Sequence, residues 1–309
     1  LTTIDFTQAD WRTACYCWNC ESVRGFEIRR KKKWCEKCGT QIVHGPRATI
    51  IAPPGRTLLA FDADALHYRI AACLSQDPFI NESLAKYDET HDPIWKPHVR
   101  NCSALFGVSP EEAVELMNAE SSRYTFAKNF IYMLLNGGEA PALANAAAMT
   151  GLKLSIGEVD RLVKNWLAKA TGFDAWRKGL LKEAIDTGQV VLADGRRRRF
   201  YDLEQRKGVW VINEETRKEI YNFPLIGTEV SFVNPRIDYV YERTKGTPWW
   251  LCYHGHDGFM LEGDEGTEKA LSDELNVELS KPTQIKPGQN LYVPWSAKAG
   301  QCWAVMGKV

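Results

Sequence analysis

Thr57-Leu58-Leu59-Ala60-Phe61-Asp62 reads as a buried strand that ends on a carboxylate. Far downstream, Trp250-Leu251-Cys252-Tyr253 and Phe259-Met260-Leu261-Glu262 flank Gly255-His256-Asp257-Gly258, which reads as a hairpin with a second carboxylate at its tip. The first is an apolar run set off by the turn Pro53-Pro54-Gly55, and the second is a pair of apolar runs around turn residues. A strand end and a hairpin tip on one sheet are rigid places to hold two carboxylates. Either aspartate alone is more simply a helix cap or turn former, so the pair gains meaning from what lies between.

Between them runs Lys128-Asn129-Phe130-Ile131-Tyr132-Met133-Leu134-Leu135-Asn136-Gly137. Lys128, Tyr132 and Asn136 fall at i, i+4 and i+8, on one helical face. A lysine there can hold a triphosphate and protonate a leaving pyrophosphate, and an aromatic one turn on can stack on a base. Spacing alone fits an ordinary amphipathic helix as well. Elsewhere the pattern predicts a helix from about 63 to Ser75, broken at Asp77-Pro78, and a helix start at Ser109-Pro110-Glu111-Glu112. Short helices and loops follow over 79–120, and helices over 121–135, 139–150, 156–169 and 172–187. A strand over 189–193 enters the turn Asp194-Gly195. A helix over 214–221 meets Pro224, and another runs to about 243.

The 309 residues carry 39 basic and 39 acidic side chains, so net charge does not point to a nucleic-acid partner, and local clusters must. Such clusters stand at Arg29 to Lys33 and at Arg196 to Arg199. No apolar stretch reaches the roughly 18 residues of a membrane span, and no signal peptide is visible. The chain opens on Leu1 rather than Met, which suggests a fragment or processed product. The nine cysteines are odd in number and crowded toward the start, a pattern of a reducing compartment with a metal site rather than a disulfide framework. Cys17-Trp18-Asn19-Cys20 and Cys35-Glu36-Lys37-Cys38 are two CxxC pairs with fourteen residues between them, the spacing of a four-thiolate zinc ribbon. Cys15 is an alternative to Cys17. Basic residues interleaved with Phe26 and Trp34 between the pairs suit single-strand contact, or a solvated hairpin on a metal staple.

Five segments, in order, resemble DNA polymerase family A. Asp62-Ala63-Asp64-Ala65-Leu66-His67-Tyr68-Arg69, continuing to Leu74-Ser75-Gln76-Asp77-Pro78, is similar to the first palm motif, D-Y-S-Q-I-E-L-R with its trailing serine and D-P. The Lys128 helix is similar to the fingers helix of the phage branch, K-x-F-I-Y-G-x-L-Y-G. Gly195-Arg196-Arg197-Arg198 resembles the G-R-R-R turn, Asn222-Phe223-Pro224-Leu225-Ile226-Gly227-Thr228 resembles N-x-P-x-Q-G-T, and His256-Asp257 resembles the H-D of the third motif. Each is weak alone, and the ordered set is strong.

The resemblance implies that Asp62 and Asp257 bind two Mg²⁺ ions, helped by the Ala63 carbonyl, and that Lys128 holds the triphosphate as general acid. Tyr132 would stack near the new base pair. Arg69 and His256 would support the site or primer end, Arg196, Arg197 and Arg198 would contact the nucleic-acid backbone, and His98 sits where the family often has a fingers histidine. His67 replaces the glutamate that blocks a 2′-hydroxyl, and Asn136 replaces that residue's tyrosine partner. The fingers arginine position is Tyr124, with Arg123 one residue earlier, an offset of about 100° around a helix. Gly258 and Ile226 replace a glutamate and a glutamine of the motifs, and no T-G-R-L-S-S segment precedes Asp62.

These readings lead to an α+β fold, a right-hand polymerase palm built on an antiparallel sheet with helical fingers and a small zinc ribbon. The expected organisation is 1–45 for the N-terminal ribbon segment, 46–78 for the first part of the palm, 79–190 for the fingers and 191–309 for the rest of the palm. The expected activity is DNA-directed nucleotidyl transfer with primer-template DNA and nucleoside triphosphates, two Mg²⁺ ions and one structural Zn²⁺. Further replication proteins, or a separate thumb or exonuclease region, are expected partners, and no membrane. The setting would be replication in the cytoplasm, phage- or plasmid-encoded. A primase-polymerase or RNA-synthesising enzyme, a non-catalytic nucleic-acid-binding relative and a zinc-ribbon scaffold stay open as alternatives.

Overall fold

The computed structural model describes residues 15–17, 22–24, 43–44, 46–207 and 209–309. The strands β1 (Cys15–Cys17), β2 (Ser22–Arg24) and β3 (Val43–His44) form a small sheet in the order β2-β1-β3. After β4 (Arg56–Ala63) come the helices α1 (Leu66–Ser75), α2 (Pro78–Thr90), α3 (Pro97–Phe106), α4 (Pro110–Asn118), α5 (Ser122–Leu135), α6 (Ala140–Met149), α7 (Ile156–Lys169) and α8 (Thr171–Thr187). Two hairpins, β5 (Gln189–Val191) with β6 (Arg197–Arg199) and β7 (Glu204–Arg206) with β8 (Val209–Val211), lead to α9 (Glu214–Thr244). Then follow β9 (Trp250–Gly255), β10 (Gly258–Asp264), α10 (Glu268–Leu279), β11 (Thr283–Lys286), β12 (Gln289–Leu291), β13 (Trp295–Gly300) and β14 (Gly307–Lys308).

The chain divides into two compact units. One comprises the chain up to Asp64 with Val233–Lys281 and Val293–Val309, and the other comprises Ala65–Phe232 with Pro282–Tyr292. The chain passes from one unit to the other after Asp64, Phe232, Lys281 and Tyr292.

The first unit is built on a five-stranded, wholly antiparallel sheet in the order β14-β13-β4-β10-β9. Its central strand β4 is apolar on both faces because both are covered. On one face Phe61 stacks on Phe259, with centroids 4.9 Å apart, and Phe259 packs against Trp295. On the other, Leu58, Ala60 and Met260 lie under Ile50, Ala52, Trp303 and Met306. The helix α10 packs against β4 and β13. Strand β13 escaped the sequence reading, although Trp295 and Ala297 are buried while Ser296 and Lys298 are exposed, the period-2 signature of a half-covered strand.

The second unit is a helical body pinned by buried polar groups. Asn101 Oδ1 accepts from both the Tyr68 hydroxyl (3.1 Å) and the Trp166 indole N–H (2.8 Å), tying α3 to α1 and α7. Asp77 is fully buried and caps two helices at once: Oδ1 accepts from the Ile80 N–H at the start of α2, and Oδ2 from the Phe173 N–H near the start of α8, each at 3.0 Å. A Cβ at Gly172 would fall 2.9 Å from the Asp77 Cα, so α8 must present a glycine there.

One expectation fails. The helices expected over 214–221 and on to about 243 are a single helix, α9, which continues through Pro224. The helix holds a second interior proline, Pro235; each costs about 3 kcal/mol, and burial of Ile220, Leu225, Phe232, Val233 and Val240 along α9 outweighs them. No described helix is long and apolar enough to cross a membrane. Substituting Asp77 with alanine strands two buried helix-terminal N–H groups, and a loss of about 2–4 kcal/mol is expected in denaturant unfolding. An unchanged midpoint would show that water replaces the carboxylate at no cost.

Candidate active site

The sheet brings the two sequence-predicted aspartates together. In the register, Asp62 of β4 lies between Gly258 of β10 and Ser296 of β13. The β9–β10 hairpin turns at His256-Asp257, where His256 adopts φ 41°, an uncommon backbone state for a residue with a side chain. The Ala63 N–H donates to the Asp257 carbonyl oxygen (2.9 Å), which fastens the hairpin tip to the end of β4, and the Asp64 N–H donates to the Pro294 carbonyl (2.9 Å). A Cβ at Gly258 would stand 2.8 Å from the Phe61 carbonyl oxygen and 3.5 Å from Asp62 Oδ1, so this close approach requires a glycine where the family motif has a glutamate.

Asp62, Asp257 and His256 line a cleft of about 480 Å³ together with Arg47, Tyr253 and Lys298. Its walls partly desolvate the Asp62 carboxyl although the residue is solvent-exposed, and this burial holds its pKa above the usual carboxylate range. Repulsion from Asp257 and, more weakly, Asp64 acts in the same direction, and Lys298 and Arg47 oppose it. Two neighbouring carboxylates are a hard-oxygen donor set, and a divalent cation would relieve the repulsion that raises the Asp62 pKa. On chemistry and position the residues fit Mg²⁺. Lys298 and Arg47 were not anticipated from sequence. Lys298 falls on the Asp62 face through the alternation of β13, a signal that was readable, whereas nothing in the sequence marks Arg47.

The helical unit holds the other candidates. Lys128 is exposed on α5 and has no ion pair among the described residues. The ring of His98 lies 5.6 Å from that of Tyr132. Burial, reinforced by the positive charges of Lys128 and Lys96, lowers the His98 pKa to about 4, so the imidazole is neutral at pH 7, and its buried Nδ1 has no hydrogen-bond partner among the described residues. Asn136 is the C-cap of α5, and its side-chain amide donates to the Tyr132 carbonyl (2.7 Å). Arg123 is exposed, with its guanidinium 5.6 Å from the Phe106 ring.

Other candidates are tied into the scaffold. Arg69 is buried and makes a bidentate pair with Asp88, both contacts at 2.7 Å. Arg196 binds Asp194, Ser231 and the Gly227 carbonyl, and Arg198 pairs with Glu219 (2.7 Å), so both hold the β5–β6 hairpin on α9. Arg197 is exposed. His67 Nε2 lies 2.6 Å from Oε2 of the buried Glu229, a pairing that no sequence signal announced. Cys20, Cys35 and Cys38 lie outside the described residues, as does the side chain of Cys17. Among the described residues no cluster of three or more His, Cys, Asp or Glu side chains is arranged for a metal.

The family model described as DNA polymerase family A matches residues 33–305. The thermostable DNA polymerase I of Thermus thermophilus is 26% identical over 216 residues, which cover 70% of this chain and 24% of that protein. The chloroplastic/mitochondrial DNA polymerase I A of Arabidopsis thaliana is 25% identical over 272 residues, covering 83% of this chain and 25% of that protein. The chain therefore spans about a quarter of the length of these curated relatives. Among solved structures, the POL domain of Pol1 from M. smegmatis, in complex with DNA primer-template and dNTP, shares the fold with a TM-score of 0.65 and 21% identity, over 84% of this chain and 42% of that one. With the paired aspartates on an antiparallel sheet and the family match over most of its length, this chain belongs to DNA polymerase family A.

Proposed function

We propose that the chain catalyses template-directed addition of deoxynucleotides to a primer 3′-hydroxyl, with release of pyrophosphate. The observation that carries this reading is the juxtaposition of Asp62 and Asp257, locked by the bond from the Ala63 N–H to the Asp257 carbonyl. Asp62 and Asp257 would hold magnesium there, which would supply Lewis-acid charge for the attacking and leaving oxygens. The protein's own part is to hold the two carboxylates at fixed spacing and to offer Lys128, exposed and without an ion pair among the described residues, to the triphosphate as a proton donor. Neutral His98 beside Tyr132 offers a ring nitrogen that adds no charge to a nucleotide site.

Further parts of the proposal rest on sequence. Cys17, Cys20, Cys35 and Cys38 bind one structural zinc ion, supported by the two CxxC pairs. The phage-like fingers motif favours replication of a phage or plasmid in the host cytoplasm, and other replication proteins or a separate thumb would then complete the machinery. A second reading, relaxed sugar selection with use of ribonucleotides, draws on one observation: the position of the family's sugar-blocking glutamate carries His67, and Glu229 supplies a carboxylate to it from another helix.

Extension of a labelled primer with Mg²⁺ tests the main reading. Asp257→Asn or Asp62→Asn should cut the rate about a thousandfold or more, through loss of several kcal/mol of charge stabilisation. Persistent extension by both variants would end the two-aspartate mechanism. Parallel reactions with rNTPs decide sugar choice, and extension by rNTPs at a rate near that with dNTPs would establish the second reading. Native mass spectrometry should find one zinc per chain, lost when the four cysteines are changed to serine.

Stability should follow the Asp62 carboxyl. Its pKa is raised in the folded protein, so the stability linked to its neutral form is present below the ordinary carboxylate range and lost as pH rises through the elevated value. Asp62→Asn, permanently neutral, should melt higher than the parent at neutral pH without divalent ions, and no higher in acid. Equal melting at neutral pH would mean that neither burial nor the Asp257 charge disfavours the ionised form.

A further inference from the structure

The hairpin β7–β8 pairs only with itself among the described residues. Its ladder sets Glu204 opposite Val211, Gln205 opposite Trp210 and Arg206 opposite Val209, so Trp210 projects from one face and Val209 and Val211 from the other. All three are exposed: Val209 by 66%, Trp210 by 40% and Val211 by 41%. Tyr201, just before the hairpin, is 84% exposed. An isolated two-stranded ribbon is marginal in water, and open apolar strands invite unwanted pairing. A segment that keeps an unburied tyrosine, tryptophan and valines therefore calls for an occupant.

The charges around it indicate which occupant. Arg196 and Arg198 are spent on Asp194 and Glu219. Arg197 and Arg199 lie opposite Val191 and Gln189, share one face of the β5–β6 hairpin, and are exposed without ion pairs among the described residues. Lys207, at the tip of β7–β8 with φ 51°, is likewise exposed and unpaired. The exposed carboxylates of Asp202 and Glu204 still leave this set of three cations in excess. Exposed cations interleaved with exposed aromatics are the means by which proteins hold a single strand, phosphates on the cations and bases on the rings. A duplex keeps its base faces stacked inside and would use the cations alone.

We propose that Arg197–Val211 is an arm that binds single-stranded DNA, the unpaired template of the primer-template substrate. Tyr201 and Trp210 stack on bases, and Arg197, Arg199 and Lys207 hold the backbone. The choice of the template strand rests on the polymerase reading, whereas the single-strand affinity does not. Binding is read by fluorescence anisotropy without nucleotides, using a duplex with a long 5′ template overhang and a blunt duplex of the same sequence. Replacing Tyr201 and Trp210 together by serine should weaken binding to the overhang substrate about tenfold or more and leave the blunt duplex unaffected. Replacing Arg197 and Arg199 by glutamine should reduce the slope of log affinity against log salt on the overhang substrate by about 1.4. Unchanged overhang affinity in the serine variant, or an equal loss on both substrates, overturns the arm. A change in oligomeric mass with unchanged DNA affinity overturns it in favour of a protein contact. Primer extension separates the two readings: an arm-dependent overhang preference without extension removes the polymerase function alone, and extension without that preference removes the arm alone.

Discussion

The hydrogen bond from the Ala63 N–H to the Asp257 carbonyl joins two chain segments that are far apart in sequence but adjacent in the sheet. Beyond the last ladder pair between Asp62 and Gly258, the β9–β10 hairpin would otherwise be free to splay, and the two carboxylates with it. Much of the first unit serves that closure. The stack of Phe61, Phe259 and Trp295 lies under it, and α10 packs against the strands that flank it. Gly258 has no side chain because the approach of β10 to the Phe61 carbonyl leaves no room for one. The arrangement has an electrostatic cost, visible in the raised pKa of Asp62. Holding two carboxylates side by side in a partly desolvated cleft works against stability, a conflict between local rule and global fold expected at functional positions.

The helical unit solves a different problem, how to fix short helices rich in proline starts. Buried polar side chains act as pins: Asp77 between two helix N-termini, Asn101 between two aromatic donors, and Arg69 with Asp88. Against these internally engaged groups, Lys128 stands out as exposed and without an ion pair among the described residues. The same sorting divides the arginine turn. Alternate residues of a strand face opposite ways, so Arg198 falls toward Glu219 while Arg197 and Arg199 are left to solvent.

The fold was legible wherever one periodicity dominated. The strand ending at Asp62, the hairpin carrying Asp257, and the helices from Ser122 to Thr187 follow from apolar spacing and capping signals, and Ser109 and Ser155 cap their helices as such serines do. The α9 helix was not legible, because Pro224 signals a break locally and only tertiary burial reverses it. Short strands such as β11 and β12 carry too few residues for a pattern to emerge. For the site, residue types and order singled out Asp62, Asp257 and Lys128, but a sequence cannot say which arginine is already spent on a neighbouring carboxylate. Arg69, expected to support the site or the primer end, pairs with Asp88, and Arg196, expected to contact the nucleic-acid backbone, pairs with Asp194.

The pairing of His67 with Glu229 shows how such information enters only through space. A histidine in place of a glutamate looks like the loss of a carboxylate. The structure places a buried glutamate from α9 at 2.6 Å from that histidine, so the carboxylate is retained with imidazole interposed. The imidazole ring is bulkier than the carboxylate it replaces and is oriented by a buried partner, which leaves it little freedom to move aside. On α5, Asn136 closes its own helix end through the Tyr132 carbonyl, so the residues at 67 and 136 are each engaged by a partner that sequence spacing does not reveal.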